Sequence, residues 1–328
     1  MTGPRRTRLS RAIGRLLQAV LVVWAASTAT FVLLRAAPGD PYTTSLDGFS
    51  VPDSTRALWR AQRGLDQPLA KQYALWLRNA ARGDLGYSTM FRRPVRDVMR
   101  EVLPRTLLLM GLALATSVLC GMAIGAWQGT RADSTGDRWI SRLSMIAVSL
   151  PEFWLALLML QLFVQGLGWF PATGVVAAMH DLMSPGEQLL DRLRHLALPW
   201  FTLSLVGTAW FARFQRTSMM DAWREPFVRT ARAKGLAERG VRQHAWRTAL
   251  VPVITLFGLL FPALLGGAVF VERVFGWPGM GYTTILAVGA RDYELVAAAV
   301  IVGSAMTALG SLLADGLQTM ADPRTRAS

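Results

Sequence analysis

The residues best equipped for chemistry lie in one stretch, Pro226 to Pro252, PFVRTARAKGLAERGVRQHAWRTALVP. Arg229, Arg232 and Lys234 surround a small apolar patch of Phe227, Thr230 and Ala231. What such a set offers is recognition: guanidinium and ammonium groups dock on carboxylates and carbonyl oxygens through charge-assisted hydrogen bonds. Pro226 suits the first turn of a short helix and Gly235 its end, and a second helix should begin near Ala237–Glu238. Helix, glycine turn and helix make a compact protruding element that can seat in a cleft of a partner protein. A basic loop that only fixes membrane topology and binds anionic lipid accounts equally well for the same charge and periodicity.

Other reactive residues form no constellation. His180, His195 and His244 are far apart in the chain and lack metal-ligand spacing, so no bound metal is expected. The chain has no phosphate loop ending in Gly-Lys-Ser/Thr, no His-Glu-x-x-His and no nucleophile elbow, so it should not hydrolyse ATP itself. The glycines of GWPGMG, Gly276 to Gly281, follow no strand and read as a turn. Glu152 follows Pro151 in an apolar stretch, where an ionisable group is a functional candidate by default; a span that begins after it puts the carboxylate at an interface. Asp315 reaches an interface in the same way, and Glu272 and Arg273 are expected to pair with each other or with a neighbouring subunit. Cys120 is the lone cysteine and forms no intrachain disulfide.

The elements that carry these residues are apolar. Across 328 residues, 52% are hydrophobic and 17% charged, below the roughly 25% of soluble domains. With a mean hydropathy of +0.32, disordered, collagen-like and disulfide-scaffold chains are excluded. A membrane protein with substantial segments outside the bilayer remains. Its net charge of +14 is gathered beside apolar stretches, which points to a membrane surface and away from nucleic acid. The stretches between Arg15 and Arg35, Arg105 and Arg131, Glu152 and Asp181, His195 and Ala212, Arg247 and Glu272, and Glu294 and Asp315 are free of charge and each long enough for a helix. The spans are placed at 13–35, 105–130, 143–167, 195–215, 249–271 and 294–316. Lipid excludes open strand edges, so the expected fold is an all-α membrane protein of six transmembrane helices. The first span is too long, and too poor in small residues at its end, for a cleaved signal peptide.

Basic residues concentrate in the tail 1–12 and in the loops 131–142 and 216–248, which places these, and the tail 317–328, in the cytoplasm. The loops 36–104, 168–194 and 272–293 then lie outside, the first being long enough to escape the charge rule. Within it Leu69, Tyr73, Trp76, Leu77 and Ala80 share one helical face, with Pro68 near the start and Gly83 past the end. Gly121, Gly125 and Gly129, four residues apart in the second span, let a neighbouring helix approach closely.

The stretch RTARAKGL followed by HAWRTALVP resembles the EAA loop of ABC-importer permease subunits, in particular that of the dipeptide/oligopeptide/nickel family. Ala231 and Gly235 match the alanine and glycine of the general motif, and Pro252 opens the following span. Arg229 stands where the general motif has glutamate, a departure usual in the peptide-type subfamily. Eight further segments match in the family's order: APGDP at 37–41, GLDQPLAKQYALWL at 64–77, RGDLGYS at 82–88, SLPEFW at 149–154, FPATG at 170–174, VERVFGWPGMG at 271–281, ARDY at 290–293 and DPR at 322–324. The resemblance thus runs from about residue 10 to residue 326.

It implies half of the translocation path of an ATP-driven importer in a bacterial or archaeal cell membrane, with both termini cytoplasmic. The partners implied are a second homologous permease subunit, two ATPase subunits and an extracytoplasmic binding protein that delivers cargo. No cofactor is implied in this chain itself, since ATP and Mg belong to the ATPases. Residues Arg229, Thr230, Ala231, Arg232, Ala233, Lys234, Gly235 and Leu236 would form the link to the ATPase. Phe275, Trp277, Pro278 and Gly279 would belong to an outer gate region. Peptides, nickel chelates and related small solutes all fit as cargo. An ion-coupled secondary transporter is the alternative, but it calls for buried mid-span acids and inverted repeats, which this sequence hardly offers.

Overall fold

The computed structural model describes residues 4–36 and 66–321. APGDP, the first two residues of GLDQPLAKQYALWL and the DPR segment lie outside the described residues. Among the described residues ten helices, two short helical segments and one small ribbon follow in order. They are α1 (Pro4–Ala36), α2 (Leu69–Ala81), β1 (Tyr87–Ser88), β2 (Arg93–Pro94), α3 (Val95–Thr130), α4 (Thr135–Ser149), α5 (Glu152–Met159), a π-helical stretch (Leu160–Gly166), a 3₁₀ turn (His180–Leu182), α6 (Pro185–Arg224), α7 (Pro226–Ala233), α8 (Glu238–Val274), α9 (Met280–Gly289) and α10 (Tyr293–Ala321). Among the described residues, Ile13–Ala36 of α1, the whole of α3 and Tyr293–Gly316 of α10 are each long and apolar enough to cross a membrane. The segments 195–215 and 249–271 fall inside the longer helices α6 and α8.

The segment 105–130 likewise falls inside a longer helix, α3, which begins at Val95. The segment 143–167 is not one helix: α4 and α5 meet at an angle of 105°. Pro151 is the cause, because it has no N–H to donate and its ring disfavours a helical residue before it. Leu150 accordingly takes φ −86°, ψ 133°, and Glu152 opens a new helix.

The chain divides into two compact units, residues 1–105 with 279–308, and residues 106–278 with 309–328. In the first unit α2 lays its aromatic face on α1. Phe31 lies 5.3 Å from Tyr73 and 5.5 Å from Trp76, ring centre to ring centre, and the hydroxyls of Thr28 and Tyr73 are 2.6 Å apart. A second junction centres on Asp292, which is 1% exposed. Its carboxylate caps α10 by accepting the Leu295 N–H at 3.2 Å, and accepts the Ser88 hydroxyl at 2.5 Å and the Met90 N–H at 3.1 Å. RGDLGYS and ARDY are therefore two halves of one junction. Beside it Val95, Val98, Met99 and Val102 pack against Ala287, Leu295, Ala298 and Ala299. Asp292→Ala is expected to cost about 2–3 kcal/mol through the lost cap and the stranded Met90 amide, with Asp292→Asn milder. Melting of the detergent-solubilised protein measures both.

In the second unit the glycines of α3 lie against α6. A Cβ at Gly125 would strike the Ala212 carbonyl oxygen and stand 2.7 Å from the Gln215 Cβ, and one at Gly129 would stand 2.6 Å from the Met219 Cβ. Gly121 meets Phe211 in the same way. These glycines, one turn apart, bring the backbones of α3 and α6 together. The loop leaving α3 is fastened to the same helix. Asp137, 1% exposed, receives Arg216 Nε and Nη2 at 2.7 Å each, Gln128 Nε2 at 3.0 Å and the Asp133 N–H at 2.9 Å.

Candidate functional site

α6 ends at Arg224, and Glu225 in extended conformation (φ −64°, ψ 147°) both closes it and precedes α7. Pro226 then occupies the first helical position, where its missing N–H costs nothing. Eight residues later the chain turns. Lys234 leaves the helical region, Gly235 takes φ +76°, the Gly235 N–H bonds the Arg232 carbonyl at 2.9 Å, and the Leu236 N–H bonds the Ala231 carbonyl at 3.1 Å. This pair of bonds is a Schellman motif, which needs a left-handed residue and favours glycine. α8 starts at Glu238, so α7, the turn and α8 form the helical hairpin that the spacing predicts.

The hairpin has its own core. Val228 of α7, 1% exposed, packs with Met219 and Ala222 from the end of α6 and with Val241, Ala245 and Ala249 of α8. Trp223, Phe227 and Ala231 close over it. The expected outward patch of Phe227, Thr230 and Ala231 is thereby corrected. Phe227 and Ala231 are half-buried against the molecule's own core, and only Thr230 is exposed, its hydroxyl donating to the Pro226 carbonyl at 3.2 Å. The turn signals of α7 are plain in the sequence, but its inward face is not, because a short helix offers only two turns of pattern. Val241, Ala245 and Ala249 do recur every four residues and mark the face of α8 that meets it.

The three cations play different parts. Arg232 turns back on the hairpin: its Nε reaches Glu238 Oε1 at 2.9 Å, its Nη2 reaches Oε2 at 3.4 Å, and its guanidinium lies 5.1 Å from the centre of the Trp223 ring. It clamps the turn between α6 and α8. Arg229 and Lys234 are exposed and pair with no acid among the described residues. Leu236, beyond the turn, is also exposed and shields Gly240. Arg229, Thr230, Ala233, Lys234 and Leu236 thus form the outward face, while Val228 and Ala231 form the inward one.

Elsewhere the proposed gate residues part company. Phe275 and Trp277 are buried in the core of the second unit with Leu155, Leu198 and Val271. The Phe275 carbonyl accepts the Gly174 N–H at 3.0 Å, and the Trp277 N–H donates to the Glu272 carbonyl at 2.8 Å. Pro278 ends that unit, and Gly279 opens α9 in the other. Glu272 does not stand at a free end: it is wholly buried and accepts the Thr106 hydroxyl at 2.6 Å. Glu152 opens α5 and Asp315 is half-buried on α10.

Two histidines that are far apart in sequence meet at one carboxylate. His180 Nδ1 lies 2.7 Å from Asp191 Oδ2, and His195 Nδ1 lies 3.2 Å from Oδ1. Arg192 Nε donates to His180 Nε2 at 3.2 Å, which puts the His180 proton on Nδ1, toward Asp191. The Ala177 N–H and the His180 contact hold the Asp191 carboxyl below the ordinary carboxylate range. The cluster staples the loop before α6 to that helix. No group of three potential ligands among the described residues is arranged for a metal.

Long apolar helices that carry a self-supporting polar hairpin define an all-α membrane protein. The chain belongs to the family of binding-protein-dependent transport system inner membrane components, which matches residues 117–327, while that family's N-terminal region matches residues 9–110. The oligopeptide transport system permease protein AppB of Bacillus subtilis is 35% identical over 95% of this chain and 98% of its own length. A putative peptide permease protein of Brucella ovis is 38% identical over 95% of this chain and 97% of its own. The di/tripeptide transport system permease protein DppB of Pseudomonas aeruginosa is 36% identical over 90% of this chain and 93% of its own. The protein is a permease subunit of an ABC importer, an inner-membrane transport component and not an enzyme. Membership implies ATPase and substrate-binding protein partners.

Proposed function

We propose that this chain forms half of the translocation path for peptides or related small solutes, nickel-type cargo included. It pairs with a second homologous permease subunit over two ATPase subunits, which hold the ATP and Mg, while an extracytoplasmic binding protein delivers the cargo. The names of the relatives support the peptide reading. Both termini and the hairpin lie in the cytoplasm of a bacterial or archaeal cell, as the distribution of basic residues favours. The turn at Phe275–Gly279 belongs to the outer gate, where burial of Phe275 and Trp277 lets it move only with the helices around it.

The observation that carries this reading is the hairpin. Val228 and the Arg232–Glu238 clamp bind it to α6 and α8, so it cannot move without them. Its outward face presents Arg229 and Lys234 to acidic or carbonyl acceptors on an ATPase. Closure of the ATPases on ATP biases the equilibrium between outward- and inward-facing states through this face.

Gly235→Trp tests it. A Cβ at Gly235 meets nothing within 4 Å, so Gly235→Ala bears only the backbone cost of about 1–2 kcal/mol. The indole adds bulk on the docking face. The tryptophan variant should insert into the membrane and lose uptake at least tenfold while the assembled complex still hydrolyses ATP, with the alanine variant between it and wild type. Normal uptake by the tryptophan variant counts against the assignment. In vesicles, uptake should follow ATP and ignore a collapsed proton gradient, which an ion-coupled carrier would not.

A further inference from the structure

α4 carries its polarity reversed. Its inward face is polar: Asp137 and Ser144 are buried, and the Ser141 hydroxyl accepts Gln128 Nε2 at 3.1 Å. Its outward face is apolar: Trp139, Leu143 and Ile146, at i, i+4 and i+7, are each more than half exposed. A helix that faces water shows the opposite arrangement. α3, which runs into α4 through residues 131–134, is long and apolar enough to cross a membrane, so lipid is at hand for the exposed stripe.

Arginines border this stripe. Arg138 and Arg142 are exposed one turn apart along its edge, and the Arg142 guanidinium lies 5.4 Å from the centre of the Trp139 ring. Arg131 is held in the same way, 5.1 Å from the centre of the Trp127 ring. Trp127 in turn lies over the first turn of α4, since a Cβ at Gly136 would stand 2.7 Å from its ring. Among the described residues none of these three arginines pairs with an acid, Asp133 included. Asp137, on the same helix, is turned inward and taken by Arg216. Like charges four residues apart on a helix repel, and an anion between them relieves the repulsion. Tryptophan and arginine beside an apolar stripe suit a bilayer interface, the ring at headgroup level and the guanidinium forked onto phosphate oxygens.

We propose that α4 lies in the membrane interface and binds an anionic phospholipid there. Arg138 and Arg142 take the phosphate, Arg131 adds charge, and Trp139, Leu143 and Ile146 lie against the acyl chains. One such lipid covers the apolar stripe and neutralises the guanidinium groups together. A free phosphate ion has no chain to lay on Trp139. A zwitterionic lipid brings its own cation to the arginines, so the site should prefer a headgroup of net negative charge. The inference needs only that α3 crosses a membrane and is independent of the cargo and of the ATPase contact.

The test puts a nitrobenzoxadiazole fluorophore at Met145→Cys, an exposed position one turn beyond Arg142. The background is Cys120→Ser in an otherwise cysteine-free assembled transporter, held in nanodiscs of equal parts phosphatidylcholine and phosphatidylglycerol. One preparation carries nitroxide-labelled acyl chains on the phosphatidylglycerol, the other on the phosphatidylcholine. Nitroxide quenches only at short range, so the pair reports which lipid occupies the face of α4. Quenching by the phosphatidylglycerol should be about threefold the stronger, and Arg138→Gln with Arg142→Gln should bring the two level. Raised sodium chloride should shrink the preference with both arginines intact, a readout that does not depend on the double variant assembling. Equal quenching by the two lipids means ordinary bilayer contact and overturns the proposal. Quenching by neither, the result expected where another subunit covers the face, overturns it too, as does a preference that survives the double substitution or the salt.

Discussion

Arg216→Met should lower stability by about 3 kcal/mol or more, the cost of leaving a buried charge without its partner. Asp137 is almost completely removed from solvent and takes two of its hydrogen bonds from that guanidinium. Gln128 and the Asp133 amide remain as donors, which puts the expected cost at the lower end of the usual range. The loss should appear as a lower Tm of the detergent-solubilised protein. Arg216→Met combined with Asp137→Leu should recover part of it, because an apolar pair leaves no orphaned charge. A single variant that melts with wild type would mean that the pair is energetically neutral. The functional cost should exceed the thermal one, since α6 runs directly from Arg216 into the hairpin.

Gly125→Leu should be more damaging still. The new side chain would strike the Ala212 carbonyl and crowd Gln215 Cβ and the Arg216 N, all parts of α6 that cannot rotate away. Overpacking ordinarily costs about 1–3 kcal/mol, and more where backbone is the obstacle. Loss of about 3 kcal/mol or more should show as a collapse in the yield of monodisperse protein. Gly111 on the same helix is the control: a Cβ there meets nothing within 4 Å, so Gly111→Ala should purify normally. Equal yields from both variants would remove the close approach of α3 and α6 from the account.

The sequence was most legible where the signal is local. The charge-free intervals, the amphipathic pattern after Pro68 and the Pro226–Gly235 bracket each depend on a few neighbouring residues. The family was legible through the order of short motifs. What stayed hidden were the junctions: no local pattern says that Asp292 holds Ser88, that Arg216 reaches Asp137, or that His180 and His195 share Asp191. Pairings over such separations are made by tertiary packing. The bend at Pro151 had a signal, proline within an apolar run, but hydropathy alone reads through it. In the hairpin the positions of the cations were legible and their division of labour was not. Arg232 and Arg229 look alike in sequence, and only folding brings Glu238 and Trp223 to one of them.

α6 has a mechanical consequence. Forty unbroken residues, from the Ser184 capping box to Arg224, make a rod about 60 Å long, roughly twice the hydrocarbon thickness. The histidine staple grips one extremity and the Trp223–Val228 core grips the other. Pro199 is the interior position where the shaft can flex. A torque applied at either extremity therefore reaches the other less the share absorbed at Pro199, and a stiffer shaft, as in Pro199→Ala, would transmit it more completely.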